Sequence, residues 1–456
     1  MGPDRPPHPL TSPAEARAVT RTPPHTASAT PALVRGLSLV GVVALCVGNM
    51  VGTSIFTLPA SLAKTTGPLG VLAWGVTAAG YLFVALVYAA LGARYARSGG
   101  PYVYAREAFG DFAAFQVVWS YWVSATIGNA AIVTSVVGYA VGFSRPLAES
   151  PLLQFALAQA LLWGLCALNI RGVRESGRFQ VGVMALTVVP LLLVGGAALA
   201  HLEPGHFVPF APNGWGTLGA GAALVVWAYS GVESATVPAE EVIDGGRTVR
   251  RGTLIGYALA TVIFLVLAVA VTGALPNAEI AASTRPIALA AERTVGAWAG
   301  VLVGIVAIIS SMGTLNGWIL MAGRIPLSAA ADGLFFPALA RIHPRYGTPW
   351  IGLLVATAIA SVMLGLYFVQ SLLEVFNFIV LLAVLTTLVP HLYAAAADWI
   401  IARREGRRTP LAAPVAFAFV LYVMYGTGAE VVRWGLMAVL AGVPVYVLLT
   451  RPAAAR

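Results

Sequence analysis

Two short polar interruptions inside otherwise apolar stretches carry the chemistry of this sequence. The first is Gly48-Asn49-Met50-Val51-Gly52-Thr53-Ser54, at the centre of the apolar run 37–62. Two glycines, an asparagine and two hydroxyl residues make a poor helix, because a helix-interior glycine costs about 1 kcal/mol relative to alanine. Irregular backbone at membrane depth survives only where it is buried in protein or lines a cavity. A chain that unwinds here offers bare N–H groups to a ligand. A kinked or closely packed helix is the simpler reading of the same residues, since glycine is common in membrane spans. The second interruption is Ser230-Gly231, inside WAYSGVESATV at 227–237, and Glu233 follows it directly. Glu233 is a carboxylate well inside an apolar span. Such a charge costs at least about 2.5–3.5 kcal/mol on insertion scales, so it marks a site or a proton carrier, unless the span ends early and the group reaches the interface.

Other residues share these depths. Tyr121, Ser124, Ala125, Asn129 and Ile132 recur at three- to four-residue spacing and so share one helix face. Asn129 there is either an amide in a cavity or a helix–helix hydrogen bond worth about 1 kcal/mol. Trp227 and Trp318 can hold a guanidinium or ammonium by cation–π contact, worth about 2 kcal/mol when desolvated. A lone membrane tryptophan more commonly packs or anchors at the interface; these two lie at midspan beside glycines. Cys46 and Cys166 lack metal-ligand spacing and read as small core hydrophobes. Of the six histidines only His391 is near a span interior, with Asp398 two turns away and no third partner. That is too little for a membrane-embedded enzyme. No ring of charges or carbonyls marks a channel. No metal or cofactor is expected.

The elements that must position these groups are membrane helices. The 456 residues are 59% hydrophobic and only 10% charged, which excludes a soluble domain and predicts an all-α, polytopic membrane protein. Twelve spans are predicted, at 36–62, 68–95, 112–143, 150–169, 177–201, 216–242, 249–275, 296–323, 349–367, 371–397, 410–427 and 431–450. The net charge of +9 is a topology signal, not a nucleic-acid patch, because the basic residues sit in short loops. Of the 27 Lys and Arg, only Lys64, Arg145, Arg285, Arg293 and Arg433 fall outside the set that holds both termini. The positive-inside rule therefore puts both termini in the cytoplasm. Residues 1–35 and 451–456 read as cytoplasmic tails, the first rich in Pro, Thr, Ser and Ala and without the apolar core of a signal peptide. Structured loops are expected at 101–110 and 285–295, both short helices, and at 329–341, a helix and turn broken at Asp332-Gly333.

The interruptions lie in spans one and six, five spans apart, so the second unit crosses the membrane in the opposite sense. Paired glycine-interrupted spans at equivalent positions of two halves, here 36–201 and 216–397 with two helices added at 410–450, point to an inverted-repeat transporter. Half-helix N-termini offer amides to an anion, and half-helix C-termini offer carbonyls to a cation. That suits a zwitterion, with its carboxylate at Val51 to Ser54 and its ammonium at the carbonyls around Asn49, Met50 and Trp227 to Ser230.

The sequence also resembles a known family. GNMVGTSIFTLPASLA (48–63), RSGGPYVYAREAFG (97–110), YWVSATIGNAAIV (121–133), WAYSGVESATV (227–237), GTLNGWILMAGR (313–324), ADGLFFPALARI (331–342) with GTP (347–349), and TLVPHLY (387–393) are similar to motifs of the amino acid–polyamine–organocation superfamily. Within it the chain most resembles the arginine/agmatine antiporters and their basic amino acid and polyamine relatives. The resemblance implies a broken-helix, inverted-repeat fold in a bacterial inner membrane, a homodimer, and an amino acid or amine substrate. It implies carboxylate binding by Val51, Gly52, Thr53 and Ser54, carbonyls lent to the amine by Trp227 and Ser230, and a distal wall of Tyr121, Ser124, Ala125, Asn129 and Ile132. Trp318 matches the aromatic stacked on the substrate stem. Glu233 and Tyr88 match linking and inner-gate positions. The first break reads G-T-S where relatives have G-S-G. Val380 and Leu381 stand where relatives place a serine near the guanidinium, with Asn377 and Thr386 the nearest polar residues. Span five holds no lysine of the kind some proton-coupled relatives use. The expected function is exchange of a cationic amino acid for a related amine or amino acid; the alternative is a proton symporter for neutral amino acids with Glu233 as proton carrier.

Overall fold

The computed structural model describes residues 33–369 and 373–450, the side chains of 373–382 and 384 excepted. Among these the fold is all helical, with one isolated parallel bridge between Leu37 and Val242. Among the described residues ten helices are long and apolar enough to cross a membrane. Two shorter apolar ones, Trp215–Tyr229 and Ala412–Gly426, complete the twelve spans. The expected tails lie outside the described residues, apart from 33–35. The loop helices form at Pro101–Phe109 and Pro286–Thr294, each with proline in its first turn, where the missing N–H has no helical partner to lose.

Two spans differ from expectation. Span six is α-helical only over Leu218–Tyr229, after a 3₁₀ turn at Trp215–Thr217, and from Ser230 on it is a chain of turns ending in a 3₁₀ segment at Ala239–Glu241. Span eight runs past the predicted 323 to Ala331. Arg324, read as a loop charge, is instead fully buried inside it and forms a bidentate ion pair with the equally buried Glu241. Composition around 324 resembles a span end, and the partner that carries the helix onward lies in another span.

Span seven, Gly245–Ala274, packs on span two, Gly70–Arg94, and on the first half of span one, while span two also packs on span six. Spans three, four, eight and nine form a second group, with span ten against span three. Glycine permits the closest crossing. A Cβ at Gly252 or Gly256 of span seven would overlap Val42 or Cys46 of span one, the small-residue device of membrane helix packing.

On the face carrying most of the arginines the chain is tied across. The N–H groups of Gly36 and Leu37 donate to the Glu241 carbonyl at 2.8 and 3.0 Å, and Ile243 N–H donates to the Leu37 carbonyl at 2.9 Å. Asp332, just past span eight, accepts from Arg97, Arg106 and the Tyr102 hydroxyl. Burial, then the Asp332 carboxylate beside it, pushes the Tyr102 phenol well above its usual range, so it remains a donor.

Candidate functional site

The first helix, Leu39–Met50, stops because Val51 and Gly52 leave helical geometry, with φ, ψ of −86°, 52° and −107°, −129°. The second half, Thr53–Thr65, begins with no side-chain cap. The amides of its first turn have no carbonyl behind them within the helix, and the half-helix dipole adds partial positive charge there. Gly52 is required by proximity: a Cβ on it would overlap Thr314 of span eight. Span eight also takes carbonyls freed by the break. The Thr314 hydroxyl donates to the Gly48 carbonyl at 2.6 Å and the Ser310 hydroxyl to the Val51 carbonyl at 2.5 Å.

The second helix, Leu218–Tyr229, stops at Ser230, and Gly231 follows at φ 115°, where a side chain is strained. Ser230 N–H still reaches the Val226 carbonyl and Val232 N–H the Tyr229 carbonyl. The carbonyls of Trp227 and Ala228 lie in the last helical turn, beyond intrahelical pairing. The two breaks touch. A Cβ on Gly231 would run into the Asn49 side chain and main chain. The Asn49 amide donates to the Ser234 hydroxyl at 2.7 Å and approaches Met321 Sδ at 3.0 Å.

Between the breaks lies a cavity of 20 Å³, room for about one water molecule. Asn49, Met50, Gly52, Thr53 and Ser54 line it, as do Ser124, Ile132, Trp227, Ser230 and Trp318. Val51, Tyr121, Ala125 and Asn129 do not line this wall. The Val51 carbonyl is held by Ser310. Tyr121 lies edge-on to Trp318, ring centroids 6.3 Å apart, with its hydroxyl turned away to Glu233. Asn129 is buried, and its Oδ1 has no hydrogen-bond partner among the described residues. Gly128, Thr314 and Thr387 join the wall without having been singled out. Thr387 shares a hydrogen bond with Ser124 and donates to the Ala383 carbonyl at 2.8 Å. It is a span-ten hydroxyl nearly two turns beyond the Val380–Leu381 position; the Val380, Leu381 and Asn377 side chains lie outside the described residues.

Glu233 is fully buried, so the interface-reaching alternative fails. Its Oε1 accepts from Tyr121 at 2.6 Å and its Oε2 from Gly231 N–H at 3.1 Å. It is not alone among carboxylates, since Glu241 is equally buried. Tyr88 is buried and bonds His391 Nδ1 at 2.9 Å. On the opposite side from the arginine-rich loops, a 660 Å³ vestibule opens between Phe56, Tyr139, Phe143 and the Arg285 loop.

A family model described as "Amino acid permease" matches residues 37–445. The putrescine transporter PotE of Escherichia coli (strain K12) is 30% identical, over 91% of this chain and 96% of its own. The putrescine transporter PotE of Haemophilus influenzae is 28% identical, over 90% of this chain and 96% of its own. The arginine/ornithine antiporter of Pseudomonas aeruginosa is 28% identical, over 86% of each chain.

Proposed function

Because the chain belongs to the amino acid permease family, we propose that it is a secondary transporter that exchanges a cationic amino acid for a related amine or amino acid. The observation that carries the site is the contact of the two breaks, at Val51–Gly52 and Ser230–Gly231, through Asn49 and Gly231, beside one small cavity. The names of its relatives, arginine/ornithine antiporter and putrescine transporter, support a basic substrate.

In this reading the amides of Gly52, Thr53 and Ser54 hold the substrate carboxylate, and carbonyls near Trp227 and Ala228 hold the α-amine. Trp227 and Trp318 cover the aliphatic stem and the distal cation. Asn129, Ala125 and Tyr121 shape the wall from behind. The 20 Å³ present is far short of an amino acid, so the tryptophans part as substrate enters from the vestibule. The halves 36–201 and 216–397 act as inverted repeats, and one helix group rocks against the other. The termini face the cytoplasm of a bacterium, and the outer vestibule is the entrance.

Trp318→Leu tests the site. Loss of a desolvated cation–π contact of about 2 kcal/mol predicts roughly 30-fold weaker binding of L-arginine by calorimetry on detergent-purified protein. Unchanged affinity would remove Trp318 from the site.

A further inference from the structure

In sequence His391 has only Asp398 near it; the fold brings Glu233 to it. Its side chain is 1% exposed, and its Nε2 lies 4.0 Å from Glu233 Oε2 with no hydrogen bond of its own among the described residues. Nδ1 is held by the Tyr88 hydroxyl at 2.9 Å, and the rings of Tyr81 and Tyr88 meet the imidazole edge-on at 5.8 and 5.5 Å. The imidazole is thus fixed with one nitrogen presented to a fully buried carboxylate.

The other groups that face the pair carry no positive charge. Span two contributes Tyr81 and Tyr88, span three Tyr121, and span one Cys46. Asp398 lies two turns along the helix of His391. Among the described residues the imidazolium is therefore the one protein cation placed to balance Glu233. A buried carboxylate without a balancing charge is strongly disfavoured.

The same carboxylate is linked to the cavity wall through its neighbours. Its Oε2 is bonded to the N–H of Gly231, next to the lining residue Ser230, and its Oε1 to Tyr121, which packs on the lining residue Trp318. We infer that Glu233 and His391 form one proton-binding site, and that a proton on it and the cation of a bound substrate compete to balance a single buried charge. This rests on the transport reading above and deepens it.

The proton arrives from water onto His391 Nε2, turning a neutral imidazole into an imidazolium aimed at Glu233, and returns to water when a cationic substrate binds. The carrier then has two ways to balance Glu233 while it reorients, substrate or proton. Exchange of a cationic substrate for a proton is thereby open to it, besides exchange of one amine for another.

The test is calorimetry of L-arginine and putrescine binding to the full-length purified protein, in buffers of different ionisation enthalpy between about pH 5 and 8. On the acid side of the pair's midpoint, wild type is expected to release one proton per ligand, its affinity falling up to about tenfold per pH unit lowered. In His391→Gln the uncompensated Glu233 takes the proton itself, so the pH at which ligand binding releases it shifts by at least about one unit from wild type. His391→Tyr keeps an aromatic ring and a hydroxyl partner for Tyr88 and shifts the release in the same way; a release profile unchanged from wild type in either variant overturns the inference. The wild-type titration decides even if both variants misfold, because ligand bound without proton release overturns the pair's role alone. Failure of both L-arginine and putrescine to bind overturns the transport reading and the pair's role together.

Discussion

Gly231→Val is expected to abolish L-arginine binding, weakening it at least about 100-fold, and to stop exchange in proteoliposomes. Three features of the residue lead to this. Its φ of 115° strains any side chain, and a β-branched one most, at about 1–3 kcal/mol. The new Cβ would meet Asn49, with the Asn49 carbonyl carbon at 3.1 Å, so the two breaks must part. The Gly231 N–H also holds Glu233, and any shift of the turn loosens that carboxylate. Strain and overpacking together reach about 2–6 kcal/mol, and separating the breaks is the direct way to relieve it. Gly182→Ala is the matched control: this helical glycine has open space around its missing Cβ and is expected to leave binding unchanged. Wild-type affinity in Gly231→Val, measured on monodisperse protein, would show that contact between the breaks is dispensable.

Arg324→Ala is expected to destabilise the protein by about 3–5 kcal/mol, because it leaves Glu241 charged, buried and unpaired. The guanidinium donates from Nη2 to Glu241 Oε2 at 2.9 Å and from Nη1 to the Leu320 carbonyl at 3.2 Å. The Glu241 main chain in turn receives Gly36 and Leu37, so the pair joins span eight, the turns after the second break and the entry to span one. Arg324→Lys keeps the charge but loses the fork and should fall between. The double change Arg324→Met with Glu241→Leu should recover most of the stability, since a buried pair replaced by apolar residues of similar volume costs little. Thermal unfolding in detergent checks the series. A double variant as unstable as Arg324→Ala would mean that helix packing, not the unpaired charge, sets the loss.

Much of the frame was legible because the membrane makes it so. Apolar runs near 20 residues fix span existence, and glycines with hydroxyl residues at depth mark where helices stop. What escaped depends on partners far away in sequence. Ser310 and Thr314 look like ordinary span-eight hydroxyls until the break presents the Gly48 and Val51 carbonyls to them. Arg324 looks like a loop charge until Glu241 faces it. Thr387, nearly two turns beyond Val380 and Leu381, enters the cavity because it bonds Ser124 across spans, a pairing that the motif does not reveal. The span-three face was correct as a face, yet its members divide. Ser124 and Ile132 reach the cavity, while Tyr121 turns to Glu233, a rotamer choice that helical spacing does not encode. The turns after Gly231 were hidden because Val232, Ala235 and Val237 keep the segment apolar; its irregular backbone is satisfied by local turns and by burial.

The most direct measurement is a cryo-EM structure of the full chain with L-arginine bound. The account predicts ligand density between the two breaks, with the carboxylate on the amides of Gly52 to Ser54, the α-amine at the carbonyls near Trp227, and the stem against Trp318. Arginine seated elsewhere, with the contact between Asn49 and Gly231 closed and empty of ligand, would contradict it.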